Sequence, residues 1–247
     1  ICSTSASDGV HVRDQQYGAA ATLMIDPGTA NWVHSRYHWD HELSQNDMMI
    51  VTRALRKEIG GIPFAETAAV VPISDMRAYY LRFLLALRPA QSINIFADLN
   101  GTTVWDRTGN NFNVTVMSGT TPVLNPYTGT DNGAGNSLTA MRGYTSTRLA
   151  WPINSIPQTM TICSVSRLTG GRYGRVLNMY QGPDQNTNSL HGHSGPNHAP
   201  KRGVVYYNGG FKTSNSNKGV LTNWLVLCGT SGGTSPHNII MDQVSIG

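Results

Sequence analysis

The 247-residue chain is poor in charged residues, in glutamate and in long apolar runs. Charged residues make up 13% of it, and the three glutamates are Glu42, Glu58 and Glu66. The net charge of +4 comes from Lys and Arg spread along the chain, with no basic stripe interleaved with aromatics, which argues against a nucleic-acid partner. The most apolar segment, 79–87, is too short to span a membrane and is interrupted by Arg82. We therefore expect no membrane span.

Motifs of nucleophilic and glycosidic catalysis are missing as well. Retaining glycosidases need two carboxylates about 5 Å apart, but Glu58 falls on a predicted helix and no Glu-x-Asp-x-x-Glu occurs. Asp40 and Glu42 have strand-like spacing, yet they lie where a strand gives way to a helix, which favours a solvated strand end. The sequence also has no Gly-x-Ser-x-Gly and no recognisable Cys/His dyad. We predict that the chain is not an enzyme.

Gly, Ser, Thr and Asn are plentiful, as is usual in turn-rich, secreted, mainly β proteins. From residue 93, short apolar or alternating runs recur between Gly, Asn and Pro turns, which indicates an antiparallel β-sandwich or jelly roll. The predicted strands are 102–105, 112–117, 137–141, 159–167, 174–179, 203–207, 223–228 and 239–246. Residues 181–201 contain no convincing element, and a loop of that length is usually functional or mobile.

One or two short helices interrupt the strands. Ser44 is a good N-cap, Asp47 occupies the third helical position, and apolar residues then recur at helical spacing, which predicts a helix over 45–59. A second helix is predicted over 75–88, within a connector at 61–92.

The segment 32–40 alternates in the way that is typical of a half-buried strand. Tyr37 and Trp39 share one face, whereas Arg36 and His38 share the other. The alternation predicts that the polar face lies in solvent.

The two ends of the chain resemble each other. Residues 227–231 read like residues 1–5, and residues 241–246 are matched in the same order by 7–12. Such an echo predicts a repeat of about 230 residues, of which this chain is one period cut within a domain. Cys2 and Cys228 would hold the same repeat position, leaving Cys163 and Cys228 as the pair within a period. A bridge between their two strands and two buried free thiols are the alternatives.

Two motifs resemble the laminin-G-like jelly roll of the concanavalin A-like lectin/glucanase superfamily. The segment 97–111, with Ala-Asp-Leu-Asn and Trp-Asp-Arg-Thr-Gly-Asn-Asn, is similar to the start of that domain, and 39–44, Trp-Asp-His-Glu-Leu-Ser, is similar to its end. The end motif comes first. The resemblance implies that residues 1–60 are the C-terminal part of one jelly roll and that 93–247 are the N-terminal and middle part of the next.

Three arrangements could accommodate this order. The chain is one period of a tandem array, or separate chains complete each other head to tail by strand addition into a filament. In the third arrangement, residues 1–60 fold back onto their own chain as a permuted domain. The duplicated segment around Cys2 and Cys228 argues against it, because two copies would compete for one strand position.

The resemblance implies a candidate cation site. Asp98, Asp106 and Asp131 could contribute to binding Ca²⁺, which takes six to eight oxygen ligands. Asp106 could instead cap its own turn. We expect no other cofactor.

Candidate sugar contacts lie in the loop at 181–201: His191, His193, Asn197 and His198. The three histidines are also a candidate metal site, although exposed polar histidines are the simpler interpretation. Asn100 and Asn113 begin N-glycosylation sequons. Tryptophans such as Trp105 could stack on sugars, but large aromatics in strands more often belong to a core.

The sequence predicts a non-catalytic structural and adhesive repeat unit in an extracellular or cell-surface protein. Its partners are expected to be neighbouring copies of itself. The alternative is a carbohydrate-binding lectin module that contacts glycans. A glucanase-type hydrolase is a distant third.

Overall fold

The structure is a computed structural model. It describes residues 11–12, 21–25, 31–59, 89–94, 97–118, 123–127, 132–135, 138–143, 147–152, 155, 159–168, 177–179, 189–194, 201–207, 209–232 and 239–247. Over these residues the protein is mainly β, with one helix and mostly antiparallel sheets. The predicted helix at 75–88, Cys2 and the rest of the echo in residues 1–10 lie outside the described residues.

The described elements follow one another in this order: β1 His11–Val12, β2 Ala21–Ile25, β3 Asn31–Trp39, α1 Gln45–Glu58, β4 Gln91–Asn94, β5 Leu99–Asn100, β6 Thr103–Val104, β7 Val114–Ser118, β8 Val123–Tyr127, β9 Leu138–Gly143, β10 Thr147–Trp151, β11 Thr161–Arg167, β12 Leu177–Met179, β13 Ser189–Ser194, β14 Lys201–Tyr207, β15 Gly210–Phe211, β16 Leu225–Thr230, β17 Ile239–Met241 and β18 Val244–Ser245.

Helix α1 begins where the sequence predicts. The Ser44 hydroxyl accepts the N–H of Asp47 at 3.1 Å and donates to its carboxylate at 2.6 Å, so the cap satisfies one of the unpaired donors of the first turn. Met48, Val51 and Leu55 then fall on one buried face. The prediction of a helix at 45–59 is confirmed. The described helix is not long and apolar enough to cross a bilayer.

The largest sheet has eight strands in the order β18-β17-β16-β11-β3-β9-β8, with β4 also paired to β3. Strand β3 lies inside this sheet, between β11 on one side and β4 and β9 on the other. Residues 31–39 and 45–58 thus supply an internal strand and a helix to the sheet of their own chain. Their assignment to halves of two successive jelly rolls stays a prediction.

Two smaller sheets accompany the large one. Their strand orders are β1-β12-β13-β14-β15 and β2-β10-β7-β6-β5, and β1 and β12 are parallel. Strand β13 lies within residues 181–201, where the sequence predicts a loop, so that prediction is wrong for Ser189–Ser194. The predicted strand at 239–246 is a hairpin instead, because Asp242 and Gln243 adopt φ of 48° and 71° and turn the chain.

The large sheet separates two cores. The helix-side core lies between α1 and one face of β3, β11 and β16; its main members are Tyr37, Trp39, Met48, Val51, Leu55, Cys163, Val165, Trp224, Val226, Cys228 and Ile240. The inter-sheet core lies against the opposite face; its main members are Ile93, Val104, Val114, Ile162, Leu177, Val205, Tyr207, Leu225, Leu227 and Ile239. Arg36 and His38 are also buried on that opposite face, so the prediction that this side of β3 is solvated is wrong.

Candidate functional site: a buried histidine cluster and an ordered surface turn

Polar side chains gather in the interior between β3, β11, β13 and β14. We call the set of Arg36, His38, Ser164, His191, His193 and Tyr207 the buried histidine cluster. Alternation along β11 turns Ser164 to this side of the sheet, because its neighbours Cys163 and Val165 face the helix-side core. The cluster therefore forms where the sheets pack against each other.

His191 is the centre of the cluster. Its Nδ1 is hydrogen-bonded to the Tyr207 hydroxyl, and its Nε2 lies 3.0 Å from the Ser164 hydroxyl. The His191 and Tyr207 rings are nearly parallel, with centroids 6.1 Å apart. Strands β13 and β14 are adjacent, and this pairing brings the two rings together.

Burial keeps the central groups neutral. Burial, with the nearby positive charge of Arg36, lowers the pKa of His191 to about 3, although a hydrogen bond with the Leu227 backbone acts in the opposite direction. Burial also raises the pKa of the Tyr207 hydroxyl, and Arg36 offsets part of that rise. At neutral pH the serine, histidine and tyrosine form a chain of uncharged hydrogen-bonding groups.

The other two histidines of the cluster are held differently. Within the part of the chain that the structure describes, neither ring nitrogen of His38 or of His193 has a hydrogen-bond partner. Burial lowers the pKa of both rings, with added repulsion from Arg36 at His38 and from Arg202 at His193. Both rings are therefore neutral in the folded protein, and protonating either would place a charge in the interior.

The Ser164 hydroxyl and the His191 ring lie at the distance expected of a nucleophile and its general base, but a substrate has no access to the serine. Nucleophilic catalysis needs a serine within hydrogen-bond reach of a base and open to a substrate. Here Ser164 and Tyr207 are 0% exposed and His191 is 1% exposed. A substrate cannot contact the serine while the sheets are packed, so the hydrogen bonds of this trio act on stability.

The predicted sugar contacts are not brought together at the surface. His191 and His193 are buried in β13, so the prediction that they contact a sugar or lie exposed in a loop does not fit the structure. Asn197 and His198 lie outside the described residues. Sequence reasoning missed Ser164 and Tyr207. The signal available for Ser164 was its alternation with the apolar residues Cys163 and Val165 in β11.

Asp106 organises the surface turn between β6 and β7. Its carboxylate accepts the backbone N–H of Ser92 at 3.0 Å, of Thr108 at 3.1 Å and of Phe112 at 3.3 Å. It also accepts the Thr108 hydroxyl at 2.7 Å. The N–H of Asp106 itself donates to the side chain of Asn113 at 2.8 Å. Of the two roles predicted for Asp106, cation ligand and turn cap, the structure shows the turn cap.

The candidate cation ligands are otherwise engaged. Asp98 pairs with Arg107 at 2.8 Å, and Asp106 is taken up by the turn. Asp131 lies outside the described residues. Among the residues that the structure describes, no group of three His, Cys, Asp or Glu side chains is placed to hold a metal ion. Binding of Ca²⁺ stays a prediction without geometric support from this pair.

Cys163 and Cys228 form a disulfide between neighbouring strands. They are directly opposite each other in the β11–β16 pair, and both are 0% exposed. Of the two alternatives left open by the sequence, the structure has the bridge. It joins strands that lie 65 residues apart in the chain, inside the helix-side core.

Two of the tryptophans have opposite surroundings. Trp224 is fully buried in the helix-side core, as expected for an aromatic in a strand-rich protein. Trp105, at the start of the turn, is 52% exposed. Its N–H donates to the Asp98 carbonyl at 2.9 Å, so the backbone of this exposed residue is fixed.

Comparison of the chain with protein-family models, with curated proteins and with solved structures finds no match.

Proposed function

We propose that this chain is a non-catalytic structural and adhesive module of an extracellular or cell-surface protein, with a concanavalin A-like jelly roll. The observation that carries the proposal is the buried bridge between Cys163 and Cys228. Disulfides form and persist in oxidising compartments and are rare where thiols are kept reduced. A bridge between internal strands of the main sheet also suits a module that must resist pulling.

The contacts around the disulfide support a mechanical role for the bridged strands. Helix α1 packs over the bridged strands and is tied to the β17–β18 turn, since Arg53 donates to the Gln243 side chain at 3.3 Å. Asp242 of the same turn pairs with Arg202 at 2.6 Å and with Arg56 at 3.5 Å. These contacts connect the helix, the bridged strands and the sheet edge into one unit.

The residues that carry the family resemblance have structural positions in this fold. Trp39 is fully buried beneath α1, Ser44 caps the helix, and Asp106 holds the turn after β6. A jelly roll in which these motifs close the strand ends would use them in the same way. This supports the proposed fold, and it favours structural over catalytic roles for these residues.

Neighbouring copies are the proposed partners. Strand β18 forms one edge of the large sheet and β15 one edge of a smaller sheet. Each edge carries an exposed apolar side chain, Val244 at 53% and Phe211 at 49% exposure. Edge strands with unpaired backbone groups and apolar side chains accept an added strand. A neighbouring copy, in a tandem chain or a filament, would supply it.

Intact mass of the natural chain, denatured and reduced, together with sedimentation of the native protein, tests this proposal. We expect either a polypeptide many times longer than 27 kDa or a 27-kDa chain that sediments as long assemblies. Val244→Lys should weaken assembly of the separate chains, because it places a charge at the proposed joint, while Val220→Lys serves as the matched exposed control. A monomeric 27-kDa chain with reduced Cys163 and Cys228 in its native compartment would contradict the proposal.

A lectin module is the second candidate, and the exposed Trp105 favours it. Aromatic rings with an exposed face can stack on sugars, and Trp105 lies on an ordered turn whose Arg107 and Asp98 form an ion pair at 2.8 Å. A glycan array probed with the wild-type chain and with Trp105→Ala tests it. Binding that disappears with the substitution supports a lectin, and an array without signal contradicts it.

A further inference from the structure

The β5–β6 hairpin carries one of the two sequons at its tip. Asn100 ends β5, Gly101 and Thr102 form the turn, and Thr103 begins β6 opposite Asn100. Asn100, Gly101 and Thr102 are all exposed. A Cβ atom added to Gly101 would meet no atom within 4 Å, so the space around the tip is open.

The second sequon has different surroundings. The Asn113 side chain is partly buried and accepts the N–H of Asp106 at 2.8 Å. That bond belongs to the network through which Asp106 fixes the turn. A bulky group on Asn113 would have to fit around this network, whereas one on Asn100 would start from an exposed side chain at an open hairpin tip.

Asn100 also shares a face with the exposed Trp105. Successive side chains of a strand point to opposite faces, and Leu99 and Val104 point inward to the inter-sheet core. Asn100 and Trp105 therefore point outward. The N–H of Trp105 donates to Asp98, which extends the pairing of the hairpin by one step. Asn100 and Trp105 are thus diagonal neighbours, which places their Cα atoms about 7–8 Å apart, within reach of a large side chain.

We propose that Asn100 is N-glycosylated, that Asn113 is not, and that the first sugar of the glycan lies over the Trp105 ring. The inference rests on the proposed extracellular location. In the transfer, the Asn100 Nδ2 forms a bond to the anomeric carbon of a lipid-pyrophosphate-linked oligosaccharide. The bond from that carbon to the pyrophosphate breaks, the lipid pyrophosphate leaves, and one amide proton passes to a base of the transferase. The chain's own glycan then covers the exposed indole.

Expression behind a secretory signal peptide in N-glycosylating cells tests the modification. Secreted and retained protein are both analysed by intact mass before and after peptide-N-glycosidase treatment, since transfer precedes export. We expect one glycan, with Asn100 converted to Asp by the enzyme. Asn100→Gln and Thr102→Ala should each abolish it, and Asn113→Gln should leave it in place. Protein without a glycan in both pools, or with its glycan on Asn113, overturns the inference.

The same samples separate this inference from the proposed function. Secreted protein with a Cys163–Cys228 bridge but no glycan at Asn100 leaves the proposed function standing and removes the inference. Glycosylated protein whose two cysteines stay reduced in the secretory pathway removes the structural argument for an extracellular module and keeps the glycan at Asn100.

A cycle of variants tests the position of the sugar. In the wild-type chain and in Trp105→Phe, enzymatic removal of the glycan should lower the Tm by about 2–4 °C, because a sugar–aromatic contact is lost. In Trp105→Ala, the same treatment should leave the Tm within about 1 °C. An equal loss in Trp105→Ala would show that the sugar does not lie on this ring.

Discussion

The two faces of the central strands β3, β11 and β16 are buried to the same degree but are built from different side chains. Toward the helix, Trp39, Cys163 and Val226 are apolar. Toward the smaller sheets, apolar residues such as Leu225 and Leu227 lie beside the buried polar residues Arg36 and Ser164. Hydrogen bonds and neutral histidine rings make the burial of these polar residues tolerable. The helix-side face is stabilised by apolar area and by a covalent bond, whereas the opposite face depends on protonation state. The two faces should therefore lose their stability under different conditions.

We expect the largest effect from acid, which should destabilise the face that carries the histidine cluster and leave the helix-side face intact. The cluster histidines have a lowered pKa in the folded protein, about 3 for His191, against about 6.5 when unfolded. The unfolded state then binds more protons below pH 6.5, so stability is full above that pH and is lost as the pH falls toward 3. Each histidine contributes a slope of up to about 1.4 kcal/mol per pH unit. Urea unfolding at several pH values between 7 and 4 measures it.

A single substitution sharpens this test. His193→Leu removes one buried proton-binding site whose ring nitrogens have no partner in the described part of the chain. It should reduce the pH slope by about 1.4 kcal/mol per pH unit. Stability that is flat between pH 7 and 5 in the wild-type chain would contradict the role given to the cluster.

On the helix side, Trp39→Ala should cost about 3–5 kcal/mol of unfolding free energy, because it leaves a cavity beneath α1. The matched control is Trp105→Ala in an Asn100→Gln background, where no glycan contacts the ring. That exposed change should alter stability by no more than about 0.5 kcal/mol. Denaturant unfolding at pH 7 compares the two, and equal losses would mean that Trp39 is not part of a tightly packed core.

Removing the bridge should cost somewhat less. The double substitution Cys163→Ala with Cys228→Ala should lower the unfolding free energy by about 2–4 kcal/mol, the usual contribution of a disulfide. Its pH slope should equal that of the wild-type chain, since the sulfurs lie on the face without histidines. A reductant should destabilise the wild-type chain and leave the double variant unaffected; an equal response in both would place the effect elsewhere.

The smallest expected change in stability comes from replacing one of two serines on the same face of β11. Ser164→Ala leaves the Nε2 of His191 without its partner and should cost about 1–3 kcal/mol. The Ser166 hydroxyl has no hydrogen-bond partner within the described residues, so Ser166→Ala should be neutral or slightly stabilising. Thermal unfolding of the two variants at pH 7 resolves the difference. Equal losses would mean that the hydrogen bond to His191 contributes nothing.

Local signals predicted part of this fold. The cap formed by Ser44 and Asp47 and the apolar spacing that follows it specify α1 without help from the rest of the chain. The strand around Cys163 was visible in the same way, because Ile162, Cys163 and Val165 form a short, mainly apolar run. The capping role of Asp106 was visible as one of two alternatives, since a turn residue bonds within its own segment.

The buried histidine cluster could not be predicted in this way, because its partners are distant in sequence. Arg36 donates to the Gln91 side chain, 55 positions away, and His191 is bonded to Ser164, 27 positions away. Polarity alone places such residues in solvent or in a loop, so β13 was missed and one face of β3 was assigned wrongly. The strand pattern at 239–246 runs through the turn at Asp242 and Gln243, because no glycine marks its positive φ values.

The internal position of β3 imposes an order on synthesis. Trp39 pairs with Thr161, so 122 further residues must be made before this strand can meet β11. At about 5–20 residues per second, β3 waits roughly 6–24 s after leaving the ribosome, with alternating apolar and basic side chains uncovered. In that interval β4 and β9 can already pair with one edge of β3, but the edge that later pairs with β11 is open to any neighbour. Fast translation or a chaperone that holds the N-terminal segment should therefore raise the yield of folded protein.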